Sequence, residues 1–125
     1  VERVSPLLEI GVFTGGHPFD APAFQDLLGS CSGMRITVTE QPAGSRLLAD
    51  PAQPLPQVLL LYDFGQSCTR TAQQRLLSAV SSGMGLVVMH HAIFNHVEWP
   101  EFRTLVGGSY VMAPTVIQGR SHGPS

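Results

Sequence analysis

"QVLLLYD", Gln57–Asp63, is an unbroken apolar run that stops at a carboxylate. A strand with one wet face alternates apolar and polar residues. A continuous run of Val and Leu is instead the mark of a strand covered on both faces, as in a parallel sheet flanked by helices. "GLVVMH", Gly85–His90, repeats the pattern and ends at adjacent histidines. The two runs together predict an α/β fold.

Upstream, "LLEIGVFT", Leu7–Thr14, is a short run of β-formers ending at the turn "GGHPFD". Asp20 is placed to cap a helix, with Pro22 in its first turn, where a missing N–H costs nothing. Phe24, Leu27, Leu28 and Cys31 share the apolar face of that helix, and Gly33 stops it. "MRITVTE", Met34–Glu40, sets Met34, Ile36 and Val38 against Arg35, Thr37 and Thr39, which predicts a half-buried strand near a sheet edge. Gln41–Pro56 carries Pro42, Pro51, Pro54 and Pro56 and reads as a surface connection with one helical turn at Leu47 and Leu48.

Downstream of "FGQSC", Thr71-x-x-Gln74 has the form of a capping box. Ala72, Leu76, Ala79 and Val80 form the buried stripe, and Gly83 ends the helix. Trp99–Val106 is a short helix with Pro100 in its first turn and Gly107-Gly108 after it. "YVMAPTVI" is a further strand candidate, and 114–125 reads as an irregular tail of a single domain, 1–125. Strands alternating with helices give a mainly parallel sheet with right-handed crossovers.

The 125 residues are 43% hydrophobic and only 13% charged. Roughly a quarter charged is usual, so either the core is well buried or some surface is covered by another body. A net charge of −2 gives no electrostatic footprint for nucleic acid. No apolar stretch reaches the ~18 residues of a membrane span. "VERVSPLLEI" lacks the basic and long apolar regions of a signal peptide. Cys31 and Cys68 match no zinc or redox spacing; two free thiols suit a reducing cytoplasm, with one bridge as the alternative.

In such sheets ligands bind beyond the carboxyl ends of the strands, where the strand order reverses. That rim gathers "TGGHPF", "YDFG" and "HHAIFNH", bringing His17, Asp63, His90, His91, Asn95 and His96, with Glu98 nearby. A neutral imidazole is a general base and a metal ligand. Gly15 and Gly16 allow close backbone approach to a ligand, although they lack the spacing and lysine of a nucleotide loop. His90 is either a core histidine or the residue facing the cleft. His91 points the other way if the strand geometry continues past His90. His96 reads as a loop bystander, and Trp99 as a packing anchor or a sugar platform. No H-E-x-x-H motif is present, which leaves a zinc site open rather than specified.

"VFTGGHPFDAPAF", "VLLLYD", "TAQQRLLSAVSSGMGLVVMHHA" and "WPEFRTLVGG", in this order from Leu7 to Gly108, resemble the ThuA-like (trehalose-utilisation) family. The resemblance implies a three-layer, flavodoxin-like sheet of the class I glutamine amidotransferase type. It implies a part in the catabolism of a disaccharide or keto-sugar. Rim and resemblance together make His90, His17 and Asp63 the catalytic candidates. Gly15, Gly16, His91, Asn95 and Trp99 are the candidate substrate contacts, and His17 and His90 the candidate ligands of a divalent metal such as zinc. Amidotransferase relatives carry a nucleophilic Cys in a G-x-C-x-G turn. Here His90 stands in that place without the flanking glycines, so glutamine hydrolysis through a thioester is not expected. Members of the family continue well past the last motif, so the resemblance implies a C-terminally truncated domain with an open sheet edge. The competing expectation is a non-catalytic sugar-binding or protein-interaction module that self-associates.

Overall fold

A computed structural model describes residues 5–124; the first four residues of the stretch read for a leader lie outside them. The elements run β1 (Leu8–Gly15), α1 (Ala21–Gly29), β2 (Met34–Glu40), α2 (Ala43–Ala49), β3 (Val58–Asp63), α3 (Arg70–Ser81), β4 (Gly85–Val88), a 3-10 turn (His90–Phe94), α4 (Pro100–Val106), β5 (Thr115–Ile117) and β6 (Arg120–His122). β2, β1, β3 and β4 form a parallel sheet in that order. It is the expected α/β architecture, with helices on both faces.

The pleat of the sheet separates two cores. Ile10 and Val12 face Phe24 of α1, joined by half-buried Leu60 and Tyr62. Phe13, Leu59 and Leu61 face the other way, onto Leu48 of α2, Leu76 of α3, and Trp99 and Phe102 at α4. The register Ile10–Val58 and Val12–Leu60 keeps each set on one face. α2 lies directly on Phe13: a Cβ at Gly44 would come within 2.8 Å of that ring.

Asp20 caps α1 by accepting from the Ala23 amide at 3.0 Å, and Pro22 occupies its first turn, as read from the sequence. The face of α1 is narrower than expected. Only Phe24 is buried, while Leu27 and Cys31 are exposed. β2 is an edge strand, with Met34 and Val38 exposed.

Other elements differ from the sequence expectation. α2 is a seven-residue helix rather than one turn. Arg75 of α3 holds its C-terminal end: one guanidinium nitrogen donates to the carbonyls of Leu47, Leu48 and Asp50, and the other to that of Gln53. The cap of α3 is Thr69, which accepts from the Ala72 amide, and not Thr71. Both are threonines ahead of the same apolar stripe, so the pattern did not separate them. β4 is an edge strand although its sequence is as apolar as that of β3, and Val87 is 44% exposed. The predicted irregular tail contains an antiparallel pair, β5 with β6.

Candidate histidine site at the carboxyl rim

β1 runs to β2 on one side, while β3 lies against its other side, so the carboxyl ends of β1 and β3 flank the point where the strand order reverses. Gly15 and Asp63 are register partners there. The two loops that leave them are tied together. The Phe64 amide donates to the Gly15 carbonyl at 2.9 Å. Gly16 has φ +85°, and a Cβ on it would lie 2.1 Å from the Phe64 carbonyl oxygen. The freedom of Gly16 therefore serves a close contact inside the protein.

β4 ends at Val88, and the chain turns at His90, whose φ is +39°. The strand pleat does not continue, which overturns the opposed orientation expected of His91. The His91 ring lies 4.8 Å from that of His17, centroid to centroid, with 33° between their planes. His90 packs on His91 at 4.2 Å, one ring further out. The partner of His17 is thus His91, where the sequence reading chose His90. Tyr62 meets His17 edge-on at 5.1 Å, and Phe64 meets His91 edge-on at 5.5 Å. Beside them lies a cavity of about 430 Å³ bounded by Phe64, His90, His91, Phe94, Tyr110 and Met112.

The His91 imidazole is exposed, yet its pKa lies below the ordinary histidine value. Partial desolvation among the packed rings is the larger cause, and the coulombic influence of His90 and His17 adds to it.

Asp63 sits beneath this surface and is 1% exposed. Its Oδ2 accepts from Gln41 Nε2 at 2.9 Å, and its Oδ1 from Asn95 Nδ2 at 2.6 Å. Gln41 in turn accepts from the amide and hydroxyl of Ser45, and Asn95 accepts from the Gln66 amide at 3.0 Å. Burial raises the Asp63 pKa, opposed by the hydrogen bonds from Gln41 and Asn95, by its own backbone and by the charge of His17. The carboxylate braces the loop after β3, α2 and the segment after the 3-10 turn; its side-chain bonds go to amides, not to an imidazole. Asn95, a candidate substrate contact, is 2% exposed, and both ends of its amide are used internally.

Trp99 is 5% exposed and stacks on Phe102 at 5.5 Å, so its faces serve packing. His96 is no surface bystander. It is 8% exposed and meets Trp99 and Phe102 edge-on at 5.5 and 4.7 Å. Burial pulls its pKa down to about 4.

Among the described residues no group of three or more His, Cys, Asp or Glu is arranged to hold a metal ion. The carboxylate that would complete a set with His17 and His90 is Asp63, and its oxygens are taken by Gln41 and Asn95. The donors present do not fit a resident divalent metal. Gln41, Gln66, Tyr62 and Phe64 were missed in the sequence. They belong to no motif, and only their neighbours in space give them a role. Both cysteines are free, and burial raises the Cys68 thiol to about 11, which leaves it inert near neutral pH. No helix among the described residues is long and apolar enough to cross a membrane.

No family model and no curated protein matches the chain. Among solved structures it is similar to a protein from Parabacteroides merdae named ThuA-like, with a TM-score of 0.62 and 16% identity. The likeness covers 94% of this chain and 47% of the other, so the chain spans about half the length of that neighbour. At this identity the likeness speaks for the fold: the chain has the α/β fold of a ThuA-like structure over nearly its whole length, as the motifs from Leu7 to Gly108 implied.

Proposed function

We propose that this is a ThuA-like domain that binds a small carbohydrate, a disaccharide or its keto form, at the carboxyl rim of the sheet and takes part in its breakdown. One observation carries the reading. His17 after β1 and His91 after β4 converge at 4.8 Å beside the end of β3, where a doubly wound sheet places its ligand. His91, open to solvent and with its pKa lowered, accepts a proton from a substrate hydroxyl or carbon acid. His17, adjacent to it, supplies or relays the second proton, and His90 lines the outer wall. Phe64, Phe94 and Tyr110 offer aromatic surface for the C–H faces of a sugar ring. Positioned acid–base groups of this kind contribute on the order of 10²–10⁴ in rate.

The test is turnover of a panel of disaccharides and their keto forms by the wild type, His17→Ala and His91→Ala. Rates that fall in both variants while circular dichroism stays native support the reading. Wild-type rates in both would sink it.

A non-catalytic module that packs against a partner chain is the second reading. It is favoured by the edge position of β4 and by the 44% exposure of Val87 on an otherwise apolar strand. Light scattering that shows a dimer in wild type and a monomer in Val87→Lys, with no turnover of any sugar, would select it.

A further inference from the structure

Two arginines show what this fold does with a guanidinium. Arg75 is half-buried and donates to four backbone carbonyls. Arg103, on α4, is also partly enclosed, and its Nε is sealed from solvent with no acceptor. Among the described residues it makes no ion pair, and the single ion pair there joins Arg35 to Glu9. An arginine keeps its charge at all accessible pH.

Arg103 lines a cavity of about 460 Å³ between α4 and the β5–β6 hairpin. Arg120 and His122 reach it from β6, while Thr104, Ser109 and Gln118 add polar groups. Among the described residues no Asp or Glu lines it, although acidic residues outnumber basic ones in the chain, nine to seven. The C-terminal end of α4 brings only a fractional negative charge, which two guanidinium groups outweigh. Among the described residues, this cavity brings two guanidiniums without an ion pair and no carboxylate, a setting that favours an oxyanion, which such forks hold by paired N–H donors.

We infer that the cavity between α4 and the β5–β6 hairpin is a binding site for a small oxyanion, a phosphate or a carboxylate, held between Arg103 and Arg120. It stands apart from the histidine rim and does not depend on the chemistry assigned there. A phosphorylated metabolite and a carboxylated one present the same acceptor chemistry, and the probe separates them.

The experiment is isothermal titration of the whole chain at low ionic strength with inorganic phosphate and, separately, acetate. The expected result is saturable one-to-one binding of at least one probe. It weakens about tenfold or more in Arg120→Gln and in Arg103→Gln, and stays unchanged in Arg46→Gln, on α2. Preference for phosphate identifies a phosphoryl group, and preference for acetate a carboxylate. Arg120 is exposed on the hairpin, so its variant reports on the site even if Arg103→Gln fails to fold. Absence of saturable binding by both probes, or affinity unchanged in Arg120→Gln, would overturn the inference.

Discussion

His17 and His91 face each other with ring centroids 4.8 Å apart, brought together from the ends of β1 and β4 by a turn at His90. His90 touches only the far side of this arrangement, at 4.2 Å from His91. Two imidazoles this close resist double protonation. Removing His90 takes away one source of repulsion, so the His91 pKa rises in His90→Ala, and it rises further when His17 is also replaced. Proton NMR titration of the His91 ring in the three proteins measures this directly. An unchanged midpoint in both variants would refute the coupling.

The same pair sets an expected order of activity loss. If sugar turnover is found, His91→Ala lowers kcat/KM by about 10² or more, because the proposed base is gone. His90→Ala lowers it less, and moves the acid limb of the pH–rate profile to higher pH along with the His91 pKa.

Acid stability turns on His96. Its folded pKa, about 4, lies below the ordinary value of 6.5, so the unfolded chain binds more protons between the two. Stability therefore falls as pH drops from 6.5 towards 4 and is nearly level above 7, a loss of about 3 kcal/mol across the window. His96→Phe keeps an aromatic ring beside Trp99 and Phe102 and removes the titration. Urea midpoints against pH should show a flatter acid slope in the variant. Parallel slopes would exclude His96 as the cause.

Asp63 braces three segments from beneath the site. In Asp63→Ala, the Gln41 and Asn95 amides lose their acceptor in a buried place, which costs about 2–4 kcal/mol. Urea unfolding gives the figure. A change below about 1 kcal/mol would mean that water replaces the carboxylate.

Arg75→Ala strips the end of α2 and the turn after it of its hydrogen bonds. Hydrogen bonds from a charged group contribute about 1.5–3 kcal/mol each at most, and these share one side chain, so a loss of about 2–3 kcal/mol is expected. Hydrogen exchange should quicken first at the amides of α2, before the sheet responds.

The sheet could be read from the sequence because each strand announces itself by composition. Leu7–Thr14 and Gln57–Asp63 are apolar enough to permit little else, and Met34–Glu40 alternates. The rim could also be read, because it follows from strand order. What could not be read is how the chain leaves a strand. His90 adopts a positive φ that no Gly or Asn foretold, and that single dihedral exchanges the roles of His90 and His91. Composition also fails to distinguish a central strand from an edge strand: Gly85–Val88 is as apolar as Val58–Leu61, and only the assembled sheet shows which one lacks a neighbour. Trp99 was legible as a packing anchor, but His96 read as a loop bystander and Asn95 as a substrate contact, because polar and aromatic side chains sit close together there. In three dimensions that crowding is a buried knot.

The link between Gly16 and Phe64 makes two loops one mechanical body. With the Phe64 amide bonded to the Gly15 carbonyl, and its own carbonyl against Gly16, neither loop can swing without carrying the other. His17 rides on one loop, and Phe64 presses its ring against His91 from the other. A ligand that shifted His17 would thus tug Phe64 away from His91 and loosen the far wall of its own berth. Were a sugar bound there as proposed, adjustment to its size would fall to the segment that carries Tyr110 and Met112.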